Sequence, residues 1–129
     1  MAYYRALRLG AVFHRAFMQG DIQGGLDALD RVLDLPGPFV HDPESHYWIA
    51  RNLARVNRGE RALRSLTRAL DNGYYCHYAL LHDSAFRSLS SEPGFEELLN
   101  RAAVKDRAAR RAFLDSAGES ILGVYIGSQ

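Results

Sequence analysis

YWIARNLARVNRGERALRSLTRAL, residues 47–70, holds six arginines and a ladder of small and large apolar residues. Trp48, Ile49 and Val56, with Ala50, Leu53 and Asn57, cover more than one face of a helix. The spacing therefore predicts a helix buried on both sides. Asn57–Glu60 (NRGE) reads as a short turn, and Ala62, Leu63, Leu66, Ala69 and Leu70 form the stripe of a second helix that Asn72-Gly73 ends. Upstream, Asp42 followed by Pro43 has the form of an N-cap and a first helical position.

The same pattern occurs once before. Leu9, Phe13, Ala16 and Phe17 share one helical face up to Gly20, and Asp21 can cap a helix striped by Leu26, Leu29, Val32 and Leu33. Leu35–Phe39 (LPGPF) closes that pair, because proline lacks a donor and biases the preceding residue away from helix. Aligning the two pairs sets Gly25 on Ala62, Leu29 on Leu66 and Val32 on Ala69, each 37 positions apart. Small, large and small residues at these positions allow close helix approach.

Here the chain resembles the tetratricopeptide repeat family. The second unit, residues 42–73, fits through Ala50, Leu53, Ala62, Leu66 and Ala69. The first, residues 1–37, is atypical: Phe13 stands where the family has a small residue, and Gly25 replaces the usual alanine. GYYCHYALLHDSAFRSLSSEPGFEELLNRA, residues 73–102, is similar to the segment that closes such arrays in many bacterial multidomain proteins. Gly73-Tyr74-Tyr75, Asp83, Leu89, Pro93, Phe95 and Leu98-Leu99 carry that likeness. The resemblance implies an all-α, right-handed superhelix of helix pairs with a helical C-terminal cap over residues 74–118.

Ser91 is the expected cap of a long final helix marked by Phe95, Leu98, Leu99, Ala102, Ala109 and Phe113, with Gly118 as its stop. The tail, residues 119–129, ends in the apolar ILGVYIGSQ (Ile121–Gln129), short and β-branched; packing back onto the chain is the expectation, since a free apolar segment invites aggregation.

Length and charge narrow the function. At 129 residues the chain suits one domain with a core that needs no staples. A net charge of +1 provides no global field for nucleic acid or an anionic membrane. One cysteine, Cys76, excludes an internal disulfide framework, no apolar run reaches membrane-span length, and MAYYRALRLG lacks a signal-peptide pattern. The expected setting is cytoplasmic.

The arginines are local: Arg51, Arg55, Arg58, Arg61, Arg64 and Arg68 face only Glu60 within their segment. Asp21, Asp27, Asp30, Asp34, Asp42 and Glu44 precede them against Arg31 alone. In stacked helix pairs these segments would be neighbours and much of the field would cancel as surface ion pairs. No base-stacking or groove-reading element accompanies the arginines, so a nucleic-acid partner is not expected.

Catalysis and metal binding have weak candidates. Adjacent Cys76 and His77 cannot readily aim at one another, and neither His82 and Asp83 nor His41, Asp42 and His46 have paired ligand spacing on a rigid element. Gly24-Gly25 lacks the lysine and hydroxyl residue of a phosphate loop. Tyr74, Tyr75, Cys76 and Tyr78 are expected to pack beneath the cap, and Trp48 with the other aromatics to be core or interface. No catalytic residue, metal or cofactor is assigned.

The family resemblance implies a non-enzymatic scaffold that binds a protein or peptide partner, suited to an acidic one, in a groove lined by the first helix of each pair. His14 and Met18 on one unit, and Tyr47, Arg51 and Arg55 on the other, would face it; an arginine fork can grip a carboxylate through two charge-assisted hydrogen bonds. Two alternatives stand beside this reading: a homo-oligomer formed through the apolar tail, and a small-ligand domain with a pocket near Cys76–Asp83.

Overall fold

The computed structural model of the chain describes residues 2–35 and 42–124, and these hold helices and turns with no strand. Helix α1 (Ala2–Met18) pairs with α2 (Ile22–Leu33), and α3 (Pro43–Arg55) with α4 (Gly59–Asp71). A short α5 (His77–His82) and a 3₁₀-helix (Ser84–Ser91) lead into the long α6 (Phe95–Asp115) and a final turn of helix, α7 (Gly118–Leu122). Most of the proline-rich LPGPF segment lies outside the described residues; α2 ends just before it.

The helix starts follow local chemistry. Asp21 accepts from the Gly24 N–H at 2.9 Å and Asp42 from the Ser45 N–H at 2.8 Å, each satisfying an otherwise orphaned first-turn donor. Pro43, without an N–H to lose, occupies the start of α3. The helix ends share one device. Gly20, Asn57 and Gly73 adopt positive φ, and the next N–H reaches back to Ala16, Leu53 and Ala69 respectively, each at 2.9 Å. This is the Schellman closure, which needs a left-handed residue after the last turn.

The offset of 37 now extends to the backbone. Met18 and Arg55 end the first helices, Ile22 and Gly59 begin the second, and Gly20 and Asn57 close the turns, each pair 37 positions apart. The two hairpins are like units. Ala50 and Ala62 are 0% exposed and Ala69 is 1% exposed, so the small residues do face inward. One continuous core runs from Phe13 and Leu29 through Leu53, Leu66 and Leu70 to Phe86, Leu89, Leu98 and Ala102.

The first unit departs from the second by exchanging volume across its own interface. A Cβ on Gly25 would lie 2.2 Å from the Phe17 ring, so the missing side chain makes room for that ring. The matching positions of the second unit are Ala54 and Ala62, both buried. Phe13, in Ala50's place, is 2% exposed and stacks at a tilt on Phe17.

The capping region lies against α3 and α4, the 3₁₀-helix on α3 and the start of α6 on α4. Several expectations need correction here. Ser91 does not cap the last helix: it ends the 3₁₀-helix, and α6 starts at Phe95 behind Gly94. Glu92-Pro93-Gly94-Phe95 forms a turn closed by the Phe95 N–H on the Glu92 carbonyl (3.2 Å), with Gly94 at φ 89°. A proline followed by a positive-φ glycine is the signature of a type II turn, and it outweighs an N-cap preference. Gly118 does not stop α6 either. Ala117 takes the left-handed conformation, and Gly118 is buried because the Phe113 ring occupies its Cβ position, 2.3 Å away.

Trp48, expected in a doubly buried helix, is 44% exposed, and Cys76 and Tyr78 are exposed rather than tucked beneath the cap. Of the tail, residues 121–122 continue as helix, and Ile121 and Leu122 are 75% and 66% exposed; they do not pack back on the chain. Residues 125–129 lie outside the described part. No helix among the described residues is long and apolar enough to cross a membrane.

The acidic and basic segments do meet. Arg61 on α4 pairs with Asp30 on α2, and Arg101 on α6 with Asp71 at the end of α4 (2.7 Å). Arg64 pairs with Glu60 one turn away. Exposed pairs of this kind contribute about 0–1 kcal/mol each.

Candidate interaction surface

The face built by α1 and α3 carries most of the residues singled out from the sequence. His14 on α1 meets Asn52 on α3, Nδ1 to Nδ2 at 3.1 Å. The same Asn52 amide donates to the Trp48 carbonyl at 3.0 Å. With both amide hydrogens used, His14 Nδ1 serves as acceptor, which requires a neutral ring. Burial lowers the His14 pKa from its ordinary value, in agreement. The joint between the hairpins is therefore a neutral histidine held by an amide.

Next to Asn52 on α3, Arg51 takes a different neighbour. Its Nε lies 2.6 Å from Asp83 Oδ2, as an ion pair rather than an aligned hydrogen bond. Tyr47 donates its hydroxyl to the same oxygen at 2.6 Å, and Asp83 Oδ1 accepts from the Ala85 N–H at 2.9 Å, capping the 3₁₀-helix. Burial alone would raise the Asp83 pKa. The hydrogen bonds from Tyr47 and Ala85, with the charge of Arg51, outweigh it and hold the carboxyl below its usual range. Tyr47 is pushed the other way, first by burial and then by its bond to the carboxylate.

The five expected groove residues thus divide. Tyr47 is 8% exposed, stacked on Tyr74 (4.6 Å between ring centres) and edge-on to Phe86; it stabilises the junction with the cap. Arg51 is mostly covered and engaged with Asp83. His14 is exposed but joined to Asn52, whereas Met18, 88% exposed, and Arg55 project freely at the ends of α1 and α3. The structure brings His14 and Arg51 onto one face and removes Tyr47 from it.

Sequence reasoning missed the centre of this face. The Arg51 guanidinium carbon lies over the Trp48 ring, 4.5 Å from the ring centre. Trp48 stands at the mouth of a pocket of about 150 Å³ between the hairpins, walled by Gly10, Phe13, His14, Leu29 and Ile49. The available signal was Glu44, four residues before Trp48 on the same face, which accepts from the indole N–H at 3.4 Å. A polar neighbour at that spacing marks a helix face that reaches water. An exposed tryptophan beside an apolar pocket can receive an apolar side chain and cover it, and the cation over the ring fixes its orientation.

A second, larger cleft of about 450 Å³ lies in the cap, floored by Leu80, Phe86, Phe95 and Leu99 and edged by His82, Arg87 and Glu96. It includes His82 and Asp83 of the Cys76–Asp83 segment, whereas Cys76 and His77 are not part of its wall. Among the described residues no three histidines, cysteines or carboxylates gather as metal ligands. Comparison of the chain with protein-family models, curated proteins and solved structures gives no match.

Proposed function

We propose that the chain is a non-enzymatic protein-interaction module built of tetratricopeptide-like helix pairs, stacked as a right-handed superhelix and acting as a cytoplasmic scaffold. Like construction of the two hairpins, with a shared 37-residue offset in their ends and turns, supports the repeat reading. The observation that carries the function is Trp48, exposed at the pocket between the hairpins with Arg51 over its ring. The partner would place an apolar side chain there, with Met18 and Arg55 at the far end of the face. Arg55 is the arginine on this face that is free to meet a carboxylate; Arg51 keeps its role at Asp83.

Trp48 is the only tryptophan in the sequence, so its emission reports on this face alone. A photo-crosslinking residue at position 18 captures the partner in cells, and the purified partner is then titrated while Trp48 emission is followed. A saturable change in emission, weakened by Arg55→Ala, is expected. Binding that leaves Trp48 emission untouched would place the interface elsewhere.

Self-association is a second reading, favoured by the exposed apolar side chains of Leu114 on α6 and Ile121 and Leu122 on α7. Sedimentation of the chain with and without residues 121–129 separates the two: loss of a dimer on truncation assigns the tail to self-contact.

A further inference from the structure

The seam between the hairpins opens a second time, on the side of α2 and α4. There it forms a groove of about 310 Å³ with Leu29, Leu33 and Leu53 as its floor. Arg61, Arg64 and Arg68 line the α4 wall. Their spacing of three and four residues puts all of them on one helix face. The arginines are not equally engaged. Arg61 is held by Asp30 across the groove and Arg64 by Glu60 on its own helix, whereas Arg68 has no partner among the described residues. Between them sits Ser65, 8% exposed, also lining the groove and without a hydrogen bond among the described residues. Its hydroxyl is not a sealed orphan, and the groove lining carries three arginines against one carboxylate, Asp30, a net basic surface.

From this arrangement we infer that the α2–α4 groove binds an acidic peptide segment of a partner, with an apolar side chain on the leucine floor and carboxylates on Arg64, Arg68 and the Ser65 hydroxyl. Charge complementarity selects the occupant. On the α4 wall Arg68 is unpaired among the described residues and Arg64 is held only by Glu60 of its own helix, while the α2 wall presents the carboxylate of Asp30. A nucleic-acid backbone, charged along its whole length, would be repelled by that wall, and the groove has no aromatic side chain on which a base could stack. A peptide can carry its carboxylates on one side. Arginine forks suit it, since each can bind a carboxylate through two charge-assisted bonds.

The groove shares only Leu29 with the Trp48 pocket and none of its polar residues, so the two readings stand or fall apart. The test is fluorescence anisotropy at low and at physiological salt. The probe is a fluorescein-labelled peptide in which glutamates alternate with leucines; a glutamine-for-glutamate peptide and a labelled single-stranded oligonucleotide are its controls. The full chain is expected to bind the glutamate peptide saturably and the glutamine peptide at least about tenfold more weakly, the scale expected for loss of charged hydrogen bonds. Arg64→Gln combined with Arg68→Gln should weaken binding by about tenfold or more with unchanged circular dichroism, and Ser65→Ala should weaken it less. Trp48→Phe should bind the probe as the parent does. Equal binding by the parent and the arginine variant, tighter binding of the oligonucleotide, or no saturable binding of the glutamate peptide at low salt would each overturn the inference.

Discussion

The two hairpins meet their C-terminal neighbours through the same position and by different chemistry. His14 of the first and Arg51 of the second are 37 positions apart on matching helices. His14 reaches forward to Asn52 of the next hairpin; Arg51 reaches forward to Asp83 of the cap. The outer joint is a neutral hydrogen bond at the surface, and the inner one is an ion pair set among Tyr47, Tyr74 and Phe86. The interior of each hairpin shows a similar substitution, a phenylalanine facing a glycine in one and two alanines in the other. What repeats is the backbone closure and the location of each contact; the side chains that fill those locations are exchanged.

The largest effect should come from equivalent core leucines. Leu29 and Leu66 are each 1% exposed, yet α4 also meets the 3₁₀-helix and α6, and α2 packs chiefly on α1. Leu66→Ala is expected to lower stability by about 3–5 kcal/mol and Leu29→Ala by about 2–3 kcal/mol, read from denaturant midpoints. Equal losses would mean that the outer hairpin is as firmly embedded as the inner one.

Next in size is the inner joint. Arg51→Ala leaves a mostly buried carboxylate without its counter-charge, and a loss of about 2–3 kcal/mol is expected. The figure stays below that of a fully buried broken pair because Tyr47 and the Ala85 N–H remain on Asp83. Arg55→Ala, one turn further along at an exposed site, should change stability by less than about 0.5 kcal/mol. Similar losses for both arginines would remove the distinction between a joint and a free surface charge.

Acid should separate the two joints by order. The His14 pKa is lowered in the folded chain, so the unfolded chain binds the proton first as pH falls. Stability from this group is complete above about 6.5, its unfolded value, and declines as pH falls from there through the folded value. Asp83 is also lowered in the folded state, so its contribution is present above the ordinary carboxylate range and is lost only as pH falls through its own folded value. Melting temperature followed between neutral and mildly acidic pH should fall, and His14→Gln should flatten that part of the curve. Arg51→Ala should leave its slope unchanged.

Much of this order was legible in the chain. Asp21, Asp42-Pro43, Gly20 and Asn57 mark helix ends by local chemistry, and the 37-residue offset was visible from Gly25, Leu29 and Val32 alone. The inward position of Ala50, Ala62 and Ala69 followed from their spacing. What escaped depends on contacts between distant segments. Ser91 offers a good cap, but the Pro93-Gly94 turn overrides it. Gly118 has the composition of a stop and instead makes room for Phe113. Trp48 looks like core until the helix beside it is placed and leaves it at an opening. Asp83 was read from its motif, and its partners Tyr47 and Arg51 lie more than thirty positions earlier.

The exchange of volume between hairpins is the physical claim beneath the rest, and a double-mutant cycle on Phe17 and Gly25 measures it directly. Gly25→Ala alone should destabilise by about 1 kcal/mol, because the clash with the ring exceeds the helix-propensity gain of about 1 kcal/mol. In the Phe17→Ala background, which converts the site to the Ala54–Ala62 pattern, the same change should stabilise by about 1 kcal/mol, a coupling near 2 kcal/mol. An identical effect of Gly25→Ala in both backgrounds would contradict the account.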